Sequence, residues 1–274
     1  MPAWRALIAA SQLPPGEART LAAHASGQPR SWLLAHDDED AGEAAVAVLA
    51  LFARRRAGEP MAYITGEREF YSLMFGVTPA VLIPRPETEL LVDLALVPER
   101  LPPGARVLDI GTGSGAIAVT LARVLASSRR HGEVWACDLS PAALEVARSN
   151  AVRHDVSVHF RQSDVCAAFH GERFHLIVSN PPYIAAGDPH LKLGDVRFEP
   201  ALALTSGADG MELIRRIATE AREQLHPGGW LLFEHGYEQA APCAGLLASL
   251  GYEAVSNHAD LAGIARVCTG RWPA

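Results

Sequence analysis

The sequence predicts an α/β protein, a mostly parallel, Rossmann-like sheet of seven strands preceded by a small helical domain and a hairpin linker. Two observations carry this. After Pro86, short runs rich in β-branched and aromatic residues alternate with segments of helical periodicity, the pattern of a sheet covered by helices. From Trp4 to Gly58 there is only helical spacing and no strand-like alternation. A chain of 274 residues suits one large domain or two unequal ones, and 49% apolar with 20% charged residues excludes a disordered chain, a collagen or a coiled-coil rod.

Residues 1–58 form the expected helical domain, with helices around Trp4–Ser11, Gly16–Ala25 and Arg30–Ala35 and the best-marked one at Ala41–Ala57. Asp37-Asp38-Glu39-Asp40 stands at the positive end of that helix and Arg54-Arg55-Arg56 at its negative end, with Gly58 and Pro60 as stop signals. Val46, Leu49, Ala50 and Ala53 fall at i, i+3, i+4 and i+7, which predicts that they form its buried face. The arginine triplet reads as a solvated helix end in preference to a partner-binding patch. Residues 59–84 read as the linker, with Tyr63-Ile64-Thr65 and Phe70–Phe75 as its strands and Gly66-Glu67-Arg68-Glu69 between them.

Residues 85–274 hold the sheet. Its strand candidates are Arg106–Ile110, Glu133–Asp138, Val156–Arg161, Phe174–Asn180, Trp230–His235, Tyr252–Asn257 and Ile264–Thr269, with helical segments between most of them. The longest apolar run, Ala44–Ala53, is far below the roughly 20 residues that cross a bilayer, and the N-terminal residues lack a leader pattern, so a cytoplasmic protein is expected. Cys137, Cys166, Cys243 and Cys268 are scattered and read as buried reduced thiols, and the eleven histidines show no metal-ligand spacing, so no metal is expected. A formal charge of −7 opposes tight nonspecific binding to a polyphosphate, and no direct nucleic-acid binding is expected.

Val107-Leu108-Asp109-Ile110 leads into Gly111-Thr112-Gly113-Ser114-Gly115 and then an apolar helix face. Such a turn lets a ligand approach the backbone, and the helix start offers free N–H groups to it. The stretch also satisfies GxGxxA, so a dinucleotide site competes with other nucleotide cofactors at this point. Asp138 ends the next strand, with Ser140 as a helix cap and Pro141 at the first helical position. A carboxylate there suits the two hydroxyls of a ribose, whether of NAD or of S-adenosylmethionine. Asp164 and Val165 follow the third strand, near where adenine lies in such folds, although Asp164 could equally cap a short helix.

Asn180-Pro181-Pro182-Tyr183 directly follows the apolar strand Leu176-Ile177-Val178-Ser179. Consecutive prolines stiffen the turn and remove two N–H donors, which leaves the Asn180 and Pro181 carbonyls and the Asn180 side chain free to accept from a planar NH2 group.

The glycine turn, Asp138 and Asn180-Pro181-Pro182-Tyr183 together resemble the S-adenosylmethionine-dependent methyltransferases that modify planar amino groups. Gly66-Glu67-Arg68-Glu69-Phe70, Leu82-Ile83-Pro84-Arg85-Pro86-Glu87-Thr88-Glu89, Asp195-Val196-Arg197-Phe198-Glu199-Pro200 and Phe233-Glu234-His235-Gly236 extend the resemblance over nearly the whole chain, to the peptide chain release factor N5-glutamine methyltransferases, the HemK/PrmC family. The resemblance implies a seven-stranded methyltransferase domain and S-adenosyl-L-methionine as cofactor, held by Gly111, Thr112, Gly113, Ser114, Gly115, Asp138, Asp164, Val165 and Asn180. It implies the glutamine of the Gly-Gly-Gln motif of bacterial class-I release factors as substrate. Asn180 and the Pro181 carbonyl would orient the glutamine amide, Pro182 would stiffen the turn, and Tyr183 would pack on the flat amide. Two departures stand out: Val165 where relatives often carry an aromatic residue, and Ile264-Ala265 where a more polar pair is common before Arg266. A DNA or RNA amino-methyltransferase would share the four-residue motif, whereas a cofactor-binding regulator or an NAD oxidoreductase shares only the glycine turn.

Overall fold

Proline sets the starts of most of the N-terminal helices. In this computed structural model, which describes residues 2–128 and 131–274 and leaves Met1, Arg129 and Arg130 outside, α1 (Trp4–Ala9) is followed by α2 (Pro15–Ser26), which opens on Pro15 itself. Pro29 precedes α3 (Arg30–Ala35), α4 spans Ala44–Arg56, and Pro60 precedes α5 (Met61–Thr65). At a helix start, the fixed φ and missing N–H of proline cost nothing. These helices, up to Glu67, form one unit together with the short stretch Lys192–Phe198. Trp4, Leu7, Leu21, Leu33, Val48, Phe52 and Ile64 lie in its core.

α4 departs from the sequence reading in two ways. It starts at Ala44, not Ala41, because the Asp40 carboxylate accepts the Gly42 N–H at 2.8 Å and holds the chain in a local turn. Its buried stripe is Ala45, Val48 and Phe52, while Val46 is 72% and Leu49 48% exposed. An alanine-rich helix offers two apolar stripes, and the one that buries a phenylalanine gains more. The arginine triplet ends the helix with Arg54 and Arg56 exposed, as the sequence indicates, while Arg54 pairs with Glu59 at 2.6 Å, Arg55 with Glu17 at 2.7 Å and Asp195 at 2.8 Å, and Arg56 donates to the Ser11 carbonyl at 3.0 Å.

The linker also differs. Tyr63-Ile64-Thr65 belongs to α5, and the hairpin strands are β1 (Glu67–Phe70) and β2 (Leu73–Gly76), so most of the expected turn is strand. The turn is Tyr71-Ser72, with φ of 52° and 59°. Two consecutive left-handed residues suit the twist of a tight hairpin, but Tyr-Ser carries none of the usual Asn-Gly signal.

The second unit comprises Arg68–Leu191 and Glu199–Ala274. After α6 (Glu89–Ala95) its elements are β3 (Arg106–Ile110), α7 (Ala116–Ser127), β4 (Glu133–Asp138), α8 (Pro141–Arg153), β5 (His159–Gln162), β6 (Phe174–Ser179), α9 (Glu212–Gln224), β7 (Leu225–Glu234), α10 (Ala240–Ser249), β8 (Glu253–Ala259) and β9 (Ala265–Arg271). The strands form one seven-stranded sheet in the order β5-β4-β3-β6-β7-β9-β8, with β9 antiparallel to its two neighbours and the other pairs parallel. β3 is central. Val107, Leu176, Val178 and Leu232 pack on one face with Leu91, Val119 and Leu121, and Leu108, Ile177, Leu231 and Phe233 on the other with Ile214, Ile217 and Leu247. Burial on both faces explains why β3 and β6 read as continuous apolar runs. The order reverses beside β3, since β4 follows on one side and β6 lies on the other, which opens a crevice at the strands' C-terminal ends. No helix among the described residues is long and apolar enough to cross a membrane.

Asp109 is the polar exception within β3. It is fully buried, Thr112 Oγ1 donates to its Oδ2 at 2.7 Å, and burial pushes its carboxyl up to about 7.

Phe52→Ala should destabilise the helical unit by about 3–5 kcal/mol in urea titration, because it empties a buried aromatic site. Val46→Ser, on the face the sequence expected to be buried, should stay within about 0.5 kcal/mol of wild type. Asp109 should act in the opposite sense to a salt-bridged carboxylate. Between the ordinary carboxylate range and about 7 the unfolded chain is ionised and the folded protein is not, so this group lowers stability as pH rises through that window. Asp109→Asn keeps an oxygen for the Thr112 hydroxyl and cannot ionise. It should melt higher than wild type at about pH 8, with the gain shrinking toward about pH 5.

Candidate active site

The crevice beside β3 holds a cavity of about 350 Å³, lined by the turns that follow β3, β4, β5 and β6. Gly111 and Gly113 adopt φ of 71° and 54°, and a Cβ on either would meet nothing within 4 Å. The turn is pinned from below, where the Gly111 and Thr112 N–H groups both donate to the Cys137 carbonyl at 2.9 Å. Gly111, Thr112, Gly113 and Ser114 line the cavity. Gly115 does not, and its lack of a side chain serves packing: a Cβ there would lie 3.2 Å from the Ala147 Cα of α8.

Asp138 ends β4 inside the cavity. Its Oδ2 accepts the Gly113 N–H and its Oδ1 the Ser140 N–H, both at 2.9 Å. Burial raises its carboxyl above the ordinary range, against the pull of those backbone donors. Ser140 caps α8 by accepting the Ala143 N–H at 3.2 Å, and Pro141 opens the helix, as the sequence indicates.

Asp164 and Val165 both line the cavity. The Asp164 carboxylate pairs with Arg216 of α9 at 3.0 Å, whereas the following short turn, Ala167–Phe169, starts after Cys166 with no side-chain cap, and Ser163 Oγ accepts the Ala168 N–H at 3.0 Å. Of the two readings of Asp164, capping therefore falls away. Val165 takes a φ of 49°, rare for a β-branched residue, and its carbonyl accepts from Ser163 Oγ at 2.9 Å and Cys137 Sγ at 3.5 Å. Those two bonds hold the turn against the cavity.

Asn180, Pro181 and Pro182 line the same cavity. Asn180 Nδ2 donates to Thr88 Oγ1 at 2.9 Å, and Thr88 Oγ1 donates to Glu234 Oε2 at 2.7 Å. Tyr183 lies outside the lining. Its hydroxyl donates to Glu234 Oε1 at 3.0 Å, and its carbonyl accepts from Gln239 Nε2 at 3.0 Å. These two bonds brace the turn from behind. Glu234, at the end of β7, is 1% exposed. Burial raises its pKa, opposed first by the Thr88 and Tyr183 hydroxyls and then by the charge of Arg266.

Sequence reasoning gave no individual role to several residues that build this site. Glu199 is buried, accepts the Ile83 N–H at 3.0 Å and pairs with Arg85, which lines the cavity. Asn150, on the inner face of α8, accepts the Gly76 N–H at 2.7 Å and donates to the Gly76 and Ser114 carbonyls, joining the hairpin to the glycine turn. A polar residue at a helical position in line with Leu144 and Ala147 is the signal that could have found it.

Comparison with known proteins agrees with this geometry. Residues 3–66 match the PrmC N-terminal domain and residues 87–204 the methyltransferase small domain. The release factor glutamine methyltransferase of Burkholderia pseudomallei (strain K96243) is 51% identical, over 97% of this chain and 95% of that protein. The protein of the same name from Bordetella pertussis is 50% identical, over 96% of this chain and 97% of its own length. Among solved structures, a methyltransferase from Pyrococcus furiosus superposes with a TM-score of 0.55 at 20% identity, covering 81% of this chain and 98% of that one, a likeness of fold. Matches of this identity over nearly the full length, on a cavity that brings the glycine turn, Asp138 and Asn180-Pro181-Pro182 together, place the chain in the release factor glutamine methyltransferase family.

Proposed function

We propose that this chain transfers a methyl group from S-adenosyl-L-methionine to the side-chain amide nitrogen of the glutamine in the Gly-Gly-Gln motif of bacterial class-I peptide chain release factors. The observation that carries this is the single cavity shared by Gly111–Ser114, Asp138 and Asn180-Pro181-Pro182. When bound, the cofactor supplies an activated methyl group and leaves as S-adenosyl-L-homocysteine. The residues present suit it. Gly111 and Gly113 leave open space, and each Asp138 oxygen keeps a lone pair for a ribose hydroxyl after accepting one backbone N–H. Val165, Ile117 and Leu139 offer apolar walls, with Asp164 at the rim beside Arg216.

An amide nitrogen delocalises its lone pair into its carbonyl, so orientation is a stronger lever than removal of a ground-state proton. The Asn180 NH2 is committed to Thr88, which leaves its Oδ1 to accept, beside the Pro181 carbonyl. These two acceptors hold the N–H groups of the glutamine amide, they strengthen as the nitrogen becomes positive, which favours the transition state over the ground state, and the surplus N–H proton is lost to solvent once the methyl has transferred. Pro182 keeps the turn rigid, and Tyr183 braces it through Glu234. All the cavity residues belong to one unit, so the helical unit is assigned to recognition of the folded release factor. The reaction belongs in the cytoplasm, with the translation machinery, and a chain of net charge −7 needs no direct nucleic-acid contact for it.

Asp138→Ala should weaken cofactor binding at least about tenfold by calorimetric titration, through loss of two hydrogen bonds to a charged acceptor, without loss of fold. Because burial raises the Asp138 pKa, wild-type affinity should hold at neutral pH and fall on acidification before an ordinary carboxylate titrates. Asn180→Ala should lower single-turnover transfer by about 10²–10³-fold while the cofactor dissociation constant changes little. Near-normal transfer by a folded Asn180→Ala protein would remove Asn180 from the chemistry. Side-by-side transfer to a release factor, RNA and DNA tests the substrate class, and a preference for nucleic acid would reject the reading.

A further inference from the structure

We infer that Thr88 and Glu234 are positioning residues that fix which way the Asn180 amide faces. The inference deepens the proposed role of Asn180 and rests on it. An asparagine amide has a nearly symmetric shape, and a half-turn about its last bond exchanges acceptor for donor at almost no steric cost. Turned the wrong way, Asn180 would present its NH2 to the NH2 of a substrate amide, donor against donor. Selection of the productive face must therefore come from the protein.

The hydrogen bonds supply it in two steps. Both Glu234 oxygens face hydroxyl groups, and the carboxylate accepts from Thr88 Oγ1 at 2.7 Å and from the Tyr183 hydroxyl at 3.0 Å. A threonine hydroxyl has one proton. With that proton on Glu234, Thr88 can only accept from its other side, where Asn180 Nδ2 stands at 2.9 Å. The amide is thereby locked with Nδ2 toward Thr88 and Oδ1 away from it. The same carboxylate ties down Tyr183, so the two ends of the Asn180–Tyr183 turn share one anchor. Glu234 is 1% exposed, and Thr88 4%, so water offers no substitute partner. Thr88 lies just before α6 and Glu234 at the end of β7, so the anchor joins segments far apart in sequence.

A purely structural role for these residues would lower stability without acting through Asn180. Thr88→Val preserves shape and removes the hydroxyl, so the decisive measurement is a double-mutant cycle. Thr88→Val should lower kcat on a Gly-Gly-Gln peptide by about tenfold or more, with KM and the affinity for S-adenosyl-L-homocysteine within about threefold of wild type. Thr88→Ser should recover most of that loss. In an Asn180→Ala background the same valine should cost no more than about twofold, because the group it orients is gone. Glu234→Gln replaces an acceptor with a donor, so Thr88 and Tyr183 cannot both donate to it; kcat should fall there too, and this variant carries the cycle if the valine protein melts below the assay temperature. Wild-type kcat in folded Thr88→Val overturns the inference, as does an equal loss with and without Asn180. Full activity of Asn180→Ala alone is a different result: it rejects the underlying role of Asn180, and the relay with it.

Discussion

A carboxylate taken out of water must be given hydrogen-bond donors, and the C-terminal edge of this sheet is organised by that requirement. Three acids meet it on both oxygens and a fourth, Asp109, on one only. Asp109 takes the Thr112 hydroxyl, and Asp138 takes the Gly113 and Ser140 N–H groups. Glu199 takes the Ile83 N–H and Arg85, and Glu234 takes Thr88 and Tyr183. Each set of donors comes from a loop that borders the cavity or braces it. The turns after β3 and β4 are thus tied to each other, and the segment before α6 to the segment after β6 and the end of β7, by satisfying buried carboxyl groups, while the apolar faces of the sheet fix only where the strands lie. The edge is where such groups must be, because helices cover both faces of a parallel sheet.

How much of this was legible in the sequence depended on how local the deciding interaction is. The glycine turn, the Ser140-Pro141 helix start and the apolar strand before Asn180 are short-range patterns, and all stand where the sequence places them. The stripe of α4 was misread because Val46–Ala53 and Ala45–Phe52 are both apolar at helical spacing. Only the helices packed on α4 decide between them, and those are long-range contacts. The hairpin turn was missed because Tyr71-Ser72 pairs backbone strain with hydrogen bonds from outside the turn, the Tyr71 N–H reaching Glu89 at 2.8 Å and the Ser72 N–H reaching Glu69 at 2.9 Å. Of the arginine triplet, Arg55 and Arg56 have partners remote in sequence, Glu17 and Asp195 for the first and the Ser11 carbonyl for the second, which no local pattern announces.

The site shows the same division. Gly113 and Gly115 are indistinguishable as letters in a glycine-rich turn, yet one opens onto the cavity and the other admits α8. Tyr183 was readable as part of a motif and not as a direction, since an aromatic ring beside a binding turn can face the ligand or the protein. Its hydroxyl is held here by a buried carboxyl group. Thr88 and Glu234 stood inside recognisable segments, but no pattern within either segment announces that they meet across 146 positions of chain.

Why the turn carries asparagine and not aspartate follows from the same accounting of protons. The proton of the Thr88 hydroxyl is already given to Glu234, so the side chain at position 180 must offer Thr88 a donor. It must also offer the cavity an acceptor. An aspartate has acceptors only, and would set a second carboxylate against a hydroxyl with nothing left to give, close to a buried charge of the same sign. Asparagine carries one of each on a single rigid plane. The hydrogen-bond order thus runs from a buried carboxyl group through a hydroxyl to an amide, and the role left to the Asn180 oxygen is that of an acceptor.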